Sequence, residues 1–320
     1  MSEIGGYFEL DRLTCCKGEY YKDLIALNTA RNALVYLAKA RKIKKLYLPF
    51  LLCDSVSLVC EREGIPFEYY HTDENFQPIF EKTLDENEYL YVVNLYGQLD
   101  NERISELRSR FKRIIADNIH AFFQNPIDDT DTIYSCRKFF GVPDGAYLAT
   151  DCLLNEELPL DNSDKRISHI YGRMKDGATA HYAEFKSNDE AFVRLPLKQM
   201  SLLTHKMLSE IDYEKIREIR EENYSFLQQQ LGGINRLKLR IPEGPYAYPF
   251  YCENGLEVKK MLAERKIYVA TLWPNVLKLQ DTLEKEYAEN ILPLPCDQRY
   301  GQEEMKYLIK ELCDVRKLKR

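Results

Sequence analysis

The stretch YLYVVNLYGQLDNERISELRSRFKRIIAD at 89–117 decides the fold class of this chain. It begins with an apolar run, YLYVVNLYG, that is continuous enough for a strand buried on both faces. Ile104, Leu107 and Phe111 then recur at the spacing of one helical stripe, and the stretch ends in a second apolar run, RIIAD. A strand, a helix of about ten residues and another strand make a βαβ unit, so we expect the two strands to be parallel.

The same alternation continues on both sides of this stretch. Upstream, the pattern predicts helices at 32–41 and 53–63 and strands at 46–50 and 66–70. Downstream, two short strands at 131–135 and 145–150 are joined by a link too short for a parallel crossover, so we expect an antiparallel pair. The sequence therefore predicts an α/β fold, with a large domain whose mainly parallel central sheet is flanked by helices.

The pattern changes in the second half of the chain. Residues 151–190 are polar and lack a strong period, which is typical of a long surface excursion. Residues 198–231 have a charged helical pattern that ends at a pair of glycines. The remainder indicates a smaller α/β unit, with strands at 247–252 and 267–271 and helices at 256–265 and 303–317. We therefore predict a large domain at 1–205 and a small C-terminal α/β domain, with a bridging helix, at 206–320.

The composition excludes several functional classes. The chain of 320 residues has 45 Lys plus Arg against 51 Asp plus Glu, a formal net charge of −6. This balance argues against a dedicated nucleic-acid binder, which would gather basic residues on one face. No apolar run approaches the roughly 20 residues that cross a bilayer. The N-terminal MSEIGGYFELDR also lacks the features of a secretory signal, so we expect a cytoplasmic protein without a membrane partner.

The nine cysteines are scattered and include no CxxC pair. An odd number and an irregular spacing argue against a disulfide framework and against a zinc site of the usual kind. We therefore expect reduced thiols and no metal.

Lys138 is the first candidate catalytic residue. It lies in YSCRKFFGVPDG at 134–145, between the two predicted antiparallel strands and beside aromatic residues. A lysine in desolvating surroundings loses its proton more readily, which suits it to Schiff-base formation. On spacing alone, an ordinary solvated lysine is the more common explanation of such a pattern.

Asp117 and His120 form the second candidate. Asp117 ends a predicted parallel strand, which is where open α/β sheets place their ligands. Such an acid can pair with a protonated ring nitrogen of a cofactor, and His120 can reach the same ligand. The alternative is that Asp117 only ends a strand and that His120 packs in a turn.

The third candidate is the helix start NTARNAL at 28–34. The free N–H groups and the dipole of a helix start favour an anion such as phosphate. Every capped helix shares this property, so the signal is weak by itself. The chain contains no GxGxxG and no GxxxxGKS/T motif, so neither a dinucleotide nor a nucleoside triphosphate is indicated.

In this order, these segments resemble the DegT/DnrJ-type aminotransferases, pyridoxal-phosphate enzymes of fold type I that mostly act on nucleotide-linked keto-sugars. The resemblance covers most of the chain, and the segments that contain Lys138 and Asp117 are its specific part. The motifs that carry it are NTARNAL (28–34), LPFLLCDSV (48–56), VVNLYGQ (92–98), IADNIHAF (115–122), YSCRKFFGVPDGAYL (134–148) and ILPLPCDQRY (291–300).

The resemblance implies a role for each matching residue. Lys138 corresponds to the lysine that holds the cofactor covalently. Asp117 corresponds to the carboxylate that keeps the pyridine nitrogen protonated, which makes the ring an electron sink. His120 falls where the family has Gln or His near the phenolic oxygen of the cofactor. Ser135 falls on the hydroxyl that contacts the phosphate.

The remaining implied contacts concern the phosphate and the ring. Arg31 and Asn32 occupy the positions whose backbone amides cradle the phosphate. Cys53 falls where an aromatic side chain often stacks on the ring, and because a cysteine cannot stack in that way, Phe50 and Tyr96 are further candidates.

The chain also departs from the family. Members usually carry an Asn-Tyr-Arg-like segment that enters the partner subunit's active site, and residues 193–201 lack it. Arg194 is a candidate replacement. The chain is shorter than most members, so we expect part of the substrate-binding apparatus to be trimmed.

The activity that the resemblance implies is a two-step amino transfer by a homodimer. The amino group would come from glutamate and pass to a nucleotide-linked keto-sugar in glycan or polysaccharide biosynthesis. Lys138 argues against the branch of the family that dehydrates sugars, which lacks the lysine. The alternative is a protein of the same fold that binds pyridoxal phosphate without turnover, in a regulatory role.

Overall fold

The computed structural model describes residues 3–11, 13 and 17–317, so Cys15 and Cys16 lie outside the described residues. The strands are β1 (Ile4–Gly5), β2 (Ile25–Leu27), β3 (Lys45–Pro49), β4 (Phe67–Thr72), β5 (Pro78–Ile79), β6 (Glu88–Val93), β7 (Ile114–Asp117), β8 (Asp131–Ser135), β9 (Ala146–Ala149), β10 (Tyr248–Tyr251), β11 (Ile267–Tyr268) and β12 (Ile291–Leu294). The helices are α1 (Ala30–Ala40), α2 (Asp54–Glu63), α3 (Asn101–Phe111), α4 (Ser168–Asp176), α5 (Tyr182–Ala191), α6 (Leu202–Ser209), α7 (Tyr213–Leu231), α8 (Gly255–Glu264), α9 (Leu283–Asn290) and α10 (Gln302–Lys317).

An eight-stranded central sheet has the order β2-β9-β8-β7-β6-β3-β4-β5. The five strands β8, β7, β6, β3 and β4 run parallel to one another, and the antiparallel pairings lie towards the two edges. The βαβ unit is confirmed, because β6 and β7 pair in parallel with Val93 opposite Asp117 and α3 connects them. The antiparallel pair of β8 and β9 is also confirmed.

Helices cover both faces of this sheet, as the apolar spacing requires. Leu34 and Leu37 of α1 belong to the buried core on one face, together with Val59 of α2. Ile104 and Leu107 of α3 belong to the core on the other face. Successive residues of β6 alternate between the two cores, which explains why its sequence is apolar without interruption.

The apolar run at 89–97 ends as a strand earlier than predicted. Strand β6 stops at Val93, and residues 95–97 form a turn in which Tyr96 has a φ of 55°. Asn94 is the cause, because its side chain accepts a hydrogen bond from the Leu99 N–H at 2.9 Å and donates one to the Leu99 carbonyl at 2.8 Å. A side chain that bonds the backbone ahead of it competes with the strand and favours a turn.

The prediction of a surface excursion at 151–190 was wrong in part. Residues 168–191 form the helices α4 and α5. Helix α5 buries none of its own residues, so its sequence carries no apolar stripe that would reveal it. We refer to α4, α5 and their connection as the α4–α5 hairpin. The predicted helical region at 198–231 is divided into α6 and α7.

The C-terminal part contains an antiparallel pair of β10 and β12, with α7, α8 and α10 contributing to its core. Strand β11 pairs in parallel with β1, so the first described residues pack against the C-terminal part of the chain. The predicted boundary between residues 205 and 206 falls inside α6, and the division into two domains stays a prediction. Within the described residues, no helix is both long and apolar enough to span a membrane.

Candidate active site

A cavity of about 770 Å³ lies between the central sheet and the C-terminal part of the chain. This volume is in the range of pockets that bind small molecules. The wall includes the last residues of two neighbouring strands, Asp117 of β7 and Ser135 of β8. Five of the seven residues predicted for the site line the cavity, namely Arg31, Cys53, Asp117, Ser135 and Lys138. The other two, Asn32 and His120, do not.

Asp117 is a buried carboxylate at the base of the cavity, with 2% of its surface exposed. One of its oxygens accepts a hydrogen bond from the Tyr91 hydroxyl at 2.8 Å, and the other accepts one from the Ile119 N–H at 3.0 Å. Burial raises the pKa of Asp117 to about 6, although both hydrogen bonds oppose that effect. Among the described residues, no cation forms an ion pair with it. The carboxylate is therefore positioned to bind a cationic group that enters the cavity.

Lys138 reaches the cavity from a short turn, Cys136–Lys138, between β8 and β9. The buried rings of Phe139 and Phe140 follow it and anchor the turn in an aromatic core. The Lys138 ammonium donates to no acceptor in the part of the chain that the structure describes. Its charge is close enough to act on the pKa of Asp117, so the cavity brings the two predicted catalytic residues together.

Close packing behind this turn explains the glycine that follows it. A Cβ atom built on Gly141 would lie 1.7 Å from the carbonyl oxygen of Glu9. The Gly141 N–H also donates to Asp11 at 2.7 Å. The N-terminal segment therefore lies directly on the chain behind Lys138.

Helix α1 presents its N-terminus to the cavity. Thr29 caps it by accepting a hydrogen bond from the Asn32 N–H at 3.0 Å. The N–H groups of Ala30 and Arg31 have no acceptor among the described residues, and both residues line the cavity. The side-chain amide of Asn32 is engaged elsewhere, because it donates hydrogen bonds to Asn28 and to the Pro196 carbonyl, each at 2.8 Å.

Two arginines lie at this end of the cavity. Arg31 has a buried Nε atom without a hydrogen-bond partner, and no described residue forms an ion pair with it. Arg137 precedes Lys138, and its guanidinium lies 3.8 Å from the centre of the Phe192 ring and 3.4 Å from the Asp189 carboxylate. The sequence analysis did not single out Arg137, although its place next to Lys138 was a usable signal.

His120 lies behind the cavity wall. Its ring stacks on Tyr246, with 4.1 Å between centroids and 3° between the planes, and Tyr246 lines the cavity. The Nδ1 atom accepts a hydrogen bond from the Tyr96 N–H at 3.4 Å. Burial lowers the pKa of His120 well below 6.5, so the ring is neutral at pH 7. His120 can therefore orient Tyr246 but does not itself line the wall.

Cys53, Phe50 and Tyr96 are the residues predicted to contact the ring of a cofactor. Cys53 is exposed in the cavity at the N-terminus of α2. Phe50 stacks on Tyr69 at 4.9 Å, and neither Phe50 nor Tyr96 lines the cavity. Tyr246, which the sequence analysis missed, supplies an aromatic face there. Arg194 does not line the cavity either.

The α4–α5 hairpin and the N-terminal segment form the opposite wall. Tyr7 stacks on Phe185 at 4.6 Å, and the Tyr7 hydroxyl donates to the Ala178 carbonyl at 2.9 Å. The Arg299 side chain holds the same segment by donating to the Tyr7 carbonyl at 2.8 Å. This chain therefore covers its own cavity with residues that the sequence analysis assigned to a surface excursion.

The wall fits pyridoxal phosphate on three counts. A lysine without a partner can bind an aldehyde, and a buried carboxylate can hold a cationic ring nitrogen. Free N–H groups and an arginine with an unsatisfied Nε can take a phosphate. In the part of the chain that the structure describes, no cluster of three or more His, Cys, Asp or Glu residues could hold a metal ion.

No family model matches the chain, and no curated protein matches its sequence. Solved structures do match its fold. NtdA from Bacillus subtilis, with bound cofactor PMP, has 15% identity and a TM-score of 0.64 over 93% of this chain and 73% of its own. DesV from S. venezuelae has 14% identity and a TM-score of 0.63 over 94% of this chain and 85% of its own. A DegT DnrJ EryC1 StrS aminotransferase from Brucella abortus has 13% identity and a TM-score of 0.61 over 92% and 86%.

These likenesses show the fold, which is the fold type I of pyridoxal-phosphate-dependent aminotransferases. The predicted α/β class with a mainly parallel sheet is thereby confirmed.

Proposed function

We propose that the chain is a pyridoxal-phosphate-dependent aminotransferase that transfers an amino group to a keto-sugar. The observation that carries this proposal is the meeting of Lys138, Asp117 and the start of α1 in one cavity. The fold neighbours include an aminotransferase named for the DegT/DnrJ group and a protein with bound PMP, which supports the same reaction class.

When bound, pyridoxal phosphate supplies an aldehyde that exchanges amino groups and a cationic ring that withdraws electrons. The residues of this chain perform the remaining tasks. Lys138 would hold the aldehyde through Nζ, and Asp117 would keep a proton on the ring nitrogen. When it is not bound to the aldehyde, Lys138 would accept the α-proton of the donor at Nζ and pass it to the cofactor. In the second half of the transfer it would take a proton back from the cofactor and deliver it to the acceptor carbon.

The wall above Lys138 keeps this proton transfer away from water. Tyr7 and Phe185 present stacked rings there, and Tyr246 presents a ring that His120 supports from behind. Aromatic faces also suit the apolar faces of a sugar. These contacts are consistent with an acceptor that carries a sugar ring.

The finer parts of the proposal rest on the family resemblance. They are glutamate as donor, a nucleotide-linked keto-sugar as acceptor, a role in glycan or polysaccharide biosynthesis, and a homodimer. The predicted contacts of Ser135, Cys53 and Arg31 with the cofactor belong to the same proposal. Asn32 and His120 do not line the cavity, and they would support the site from behind its wall. A cytoplasmic location is supported by the seven described cysteines, which are all free.

The test begins with the cofactor. The purified protein is incubated with pyridoxal phosphate and reduced with borohydride, and the modified peptide is identified by mass spectrometry. We expect the label on Lys138 and its loss in Lys138→Ala. A label on another lysine, or none, would refute the assigned site.

The second step tests turnover. The loaded protein is supplied with glutamate and then with keto-sugar acceptors, and 2-oxoglutarate and the amino sugar are measured. Binding at Lys138 without amino transfer from any donor would reject the enzyme. It would favour the alternative, a protein of this fold that binds the cofactor in a regulatory role.

A further inference from the structure

The phosphate end of the cavity carries more positive charge than its protein partners neutralise. Arg31 and Arg137 both line the cavity, one from α1 and one from the turn that ends at Lys138. Arg137 has one acidic partner, Asp189, whose side chain is 49% exposed. Arg31 has none among the described residues, and its Nε atom is buried without a hydrogen bond. Only one of these two guanidinium groups therefore has an acidic partner among the described residues.

The two arginines also affect each other. Burial lowers the pKa of Arg137 to about 10, and the positive charge of Arg31 acts in the same direction. Like charges in a partly dehydrated cavity destabilise each other unless an anion lies between or beside them. A dianion would remove this repulsion and satisfy the open Nε of Arg31.

Packing holds the Arg137 side chain in place, and the backbone of Arg31 is fixed in α1. Arg137 is held against the Phe192 ring at 3.8 Å, and a fixed guanidinium loses little conformational freedom when it binds an anion. Arg31 lies in the first turn of α1, beside the free N–H groups of that helix. The forked donors of arginine match a phosphate with two parallel hydrogen bonds.

From this arrangement we infer that the side chains of Arg31 and Arg137 clamp a phosphate monoester dianion, the phosphate of the cofactor. The inference rests on the proposed function. It assigns side-chain contacts where the family resemblance implies backbone amides at positions 31 and 32. The Asn32 N–H already donates a hydrogen bond to Thr29, so we assign the phosphate contacts to the two arginine side chains instead. The clamp comes from the same chain as Lys138 and needs no residue of a partner subunit.

The decisive experiment compares pyridoxal phosphate with pyridoxal, which lacks the phosphate. Both bind an amine through the same aldehyde, so borohydride trapping on Lys138 reports both. Dissociation constants are measured for the wild type, Arg31→Gln, Arg137→Gln and the control Arg103→Gln. Arg103 lies on the surface of α3, with 51% of its side chain exposed and Glu106 as its partner.

For each clamp variant, we expect affinity for pyridoxal phosphate to fall about 10- to 100-fold, the loss typical of a hydrogen bond to a charged group. Affinity for pyridoxal should stay within about 3-fold of the wild type, which also shows that the variant is folded around Lys138. Inorganic phosphate should compete with pyridoxal phosphate in the wild type and much less in the variants. Arg31→Lys should recover part of the affinity, because it restores charge without the fork.

Equal losses for both ligands, or no loss for either, would overturn the clamp. Amino transfer by the wild type with unaffected clamp variants would leave the proposed function standing without the clamp. Selective loss for the phosphorylated ligand, in a protein that transfers no amino group, would keep the clamp and reject the enzyme. A wild type that does not bind pyridoxal phosphate would overturn both.

Discussion

Replacing Asp117 with asparagine should stabilise the ligand-free protein while it damages the function. In the absence of a cofactor, Asp117 is a buried carboxylate without a cationic partner at ion-pair distance among the described residues. Asparagine has nearly the same shape and cannot ionise. Its oxygen can accept the hydrogen bond from the Ile119 N–H, and its amide can donate to the Tyr91 oxygen. The substitution therefore removes the charge and keeps the packing.

The size of the gain follows from the pKa. Burial raises the pKa of Asp117 from 3.8 to about 6 in the folded protein, a difference worth about 3 kcal/mol. Because the folded protein holds this proton more tightly than the unfolded chain, its stability decreases as the pH rises from about 3.8 to 6 and stays lower above that. The asparagine variant escapes this decrease. We expect it to be more stable than the wild type by up to about 3 kcal/mol at pH 8, and by roughly half of that at pH 5.

The assay is urea unfolding of the ligand-free proteins at pH 5, 6.5 and 8, followed by circular dichroism. Asp128→Asn is the matched control, since Asp128 is exposed and forms no ion pair within the described residues. Its free energy of unfolding should show no increase over the wild type that grows with pH. With pyridoxal phosphate added, the wild type should become the more stable of the two proteins, because its carboxylate gains a cationic partner and the asparagine does not.

Two results would refute this reasoning. A variant that is less stable than the wild type at every pH would mean that the carboxylate is not an unpaired buried charge. A gain that is the same at pH 5 and pH 8 would mean that its ionisation is not the cause.

Three further outcomes test other parts of the site. Tyr91→Phe removes a hydrogen bond to Asp117, so the carboxyl pKa should rise from about 6 by roughly one unit or more. Carbon-13 NMR of the ligand-free protein measures this pKa, and an unchanged value would contradict the contact. Gly141→Ala should destabilise the protein by more than about 2 kcal/mol in urea unfolding, because its methyl group meets the Glu9 carbonyl; a neutral result would contradict that close packing. Cys53 should react with iodoacetamide and be protected by pyridoxal phosphate, as read by peptide mass spectrometry; labelling that ignores the cofactor would place Cys53 away from the bound ring.

The α/β class of this fold could be predicted from patterns that extend over only a few residues. The stripe of Ile104, Leu107 and Phe111 and the apolar runs around it are spaced along a few turns or strands, and their period identifies α3, β6 and β7. Helix α5 escaped prediction because it buries none of its own residues and so has no period to detect. Strand β12 escaped as well, since its four residues include a proline and give too little pattern.

The candidate site was likewise predictable only where local sequence patterns place its residues. Asp117 ends one strand and Lys138 closely follows its neighbour, and parallel strands deliver their ends to one edge of a sheet. The family resemblance then assigned the two residues their roles. Tyr246 contributes a ring to the same cavity from more than a hundred residues further along the chain. No spacing rule predicts that contact, because the packing of the C-terminal part against the sheet creates it.

The linear order of residues was enough to determine the α/β class, the strand ends that carry Asp117 and Ser135, and the lysine between two strands. Hydrophobic periodicity and turn chemistry act over a few residues, so they can be recognised in the sequence. The pairing of individual charges cannot be recognised in this way, because it depends on which side chains lie close together in the folded cavity. Only the folded chain shows that, among the described residues, Asp117 forms no ion pair and Arg31 has no acidic partner. Those two unpaired charges lie at separate places in one cavity, so the proposed ligand is one that is cationic at one end and anionic at the other.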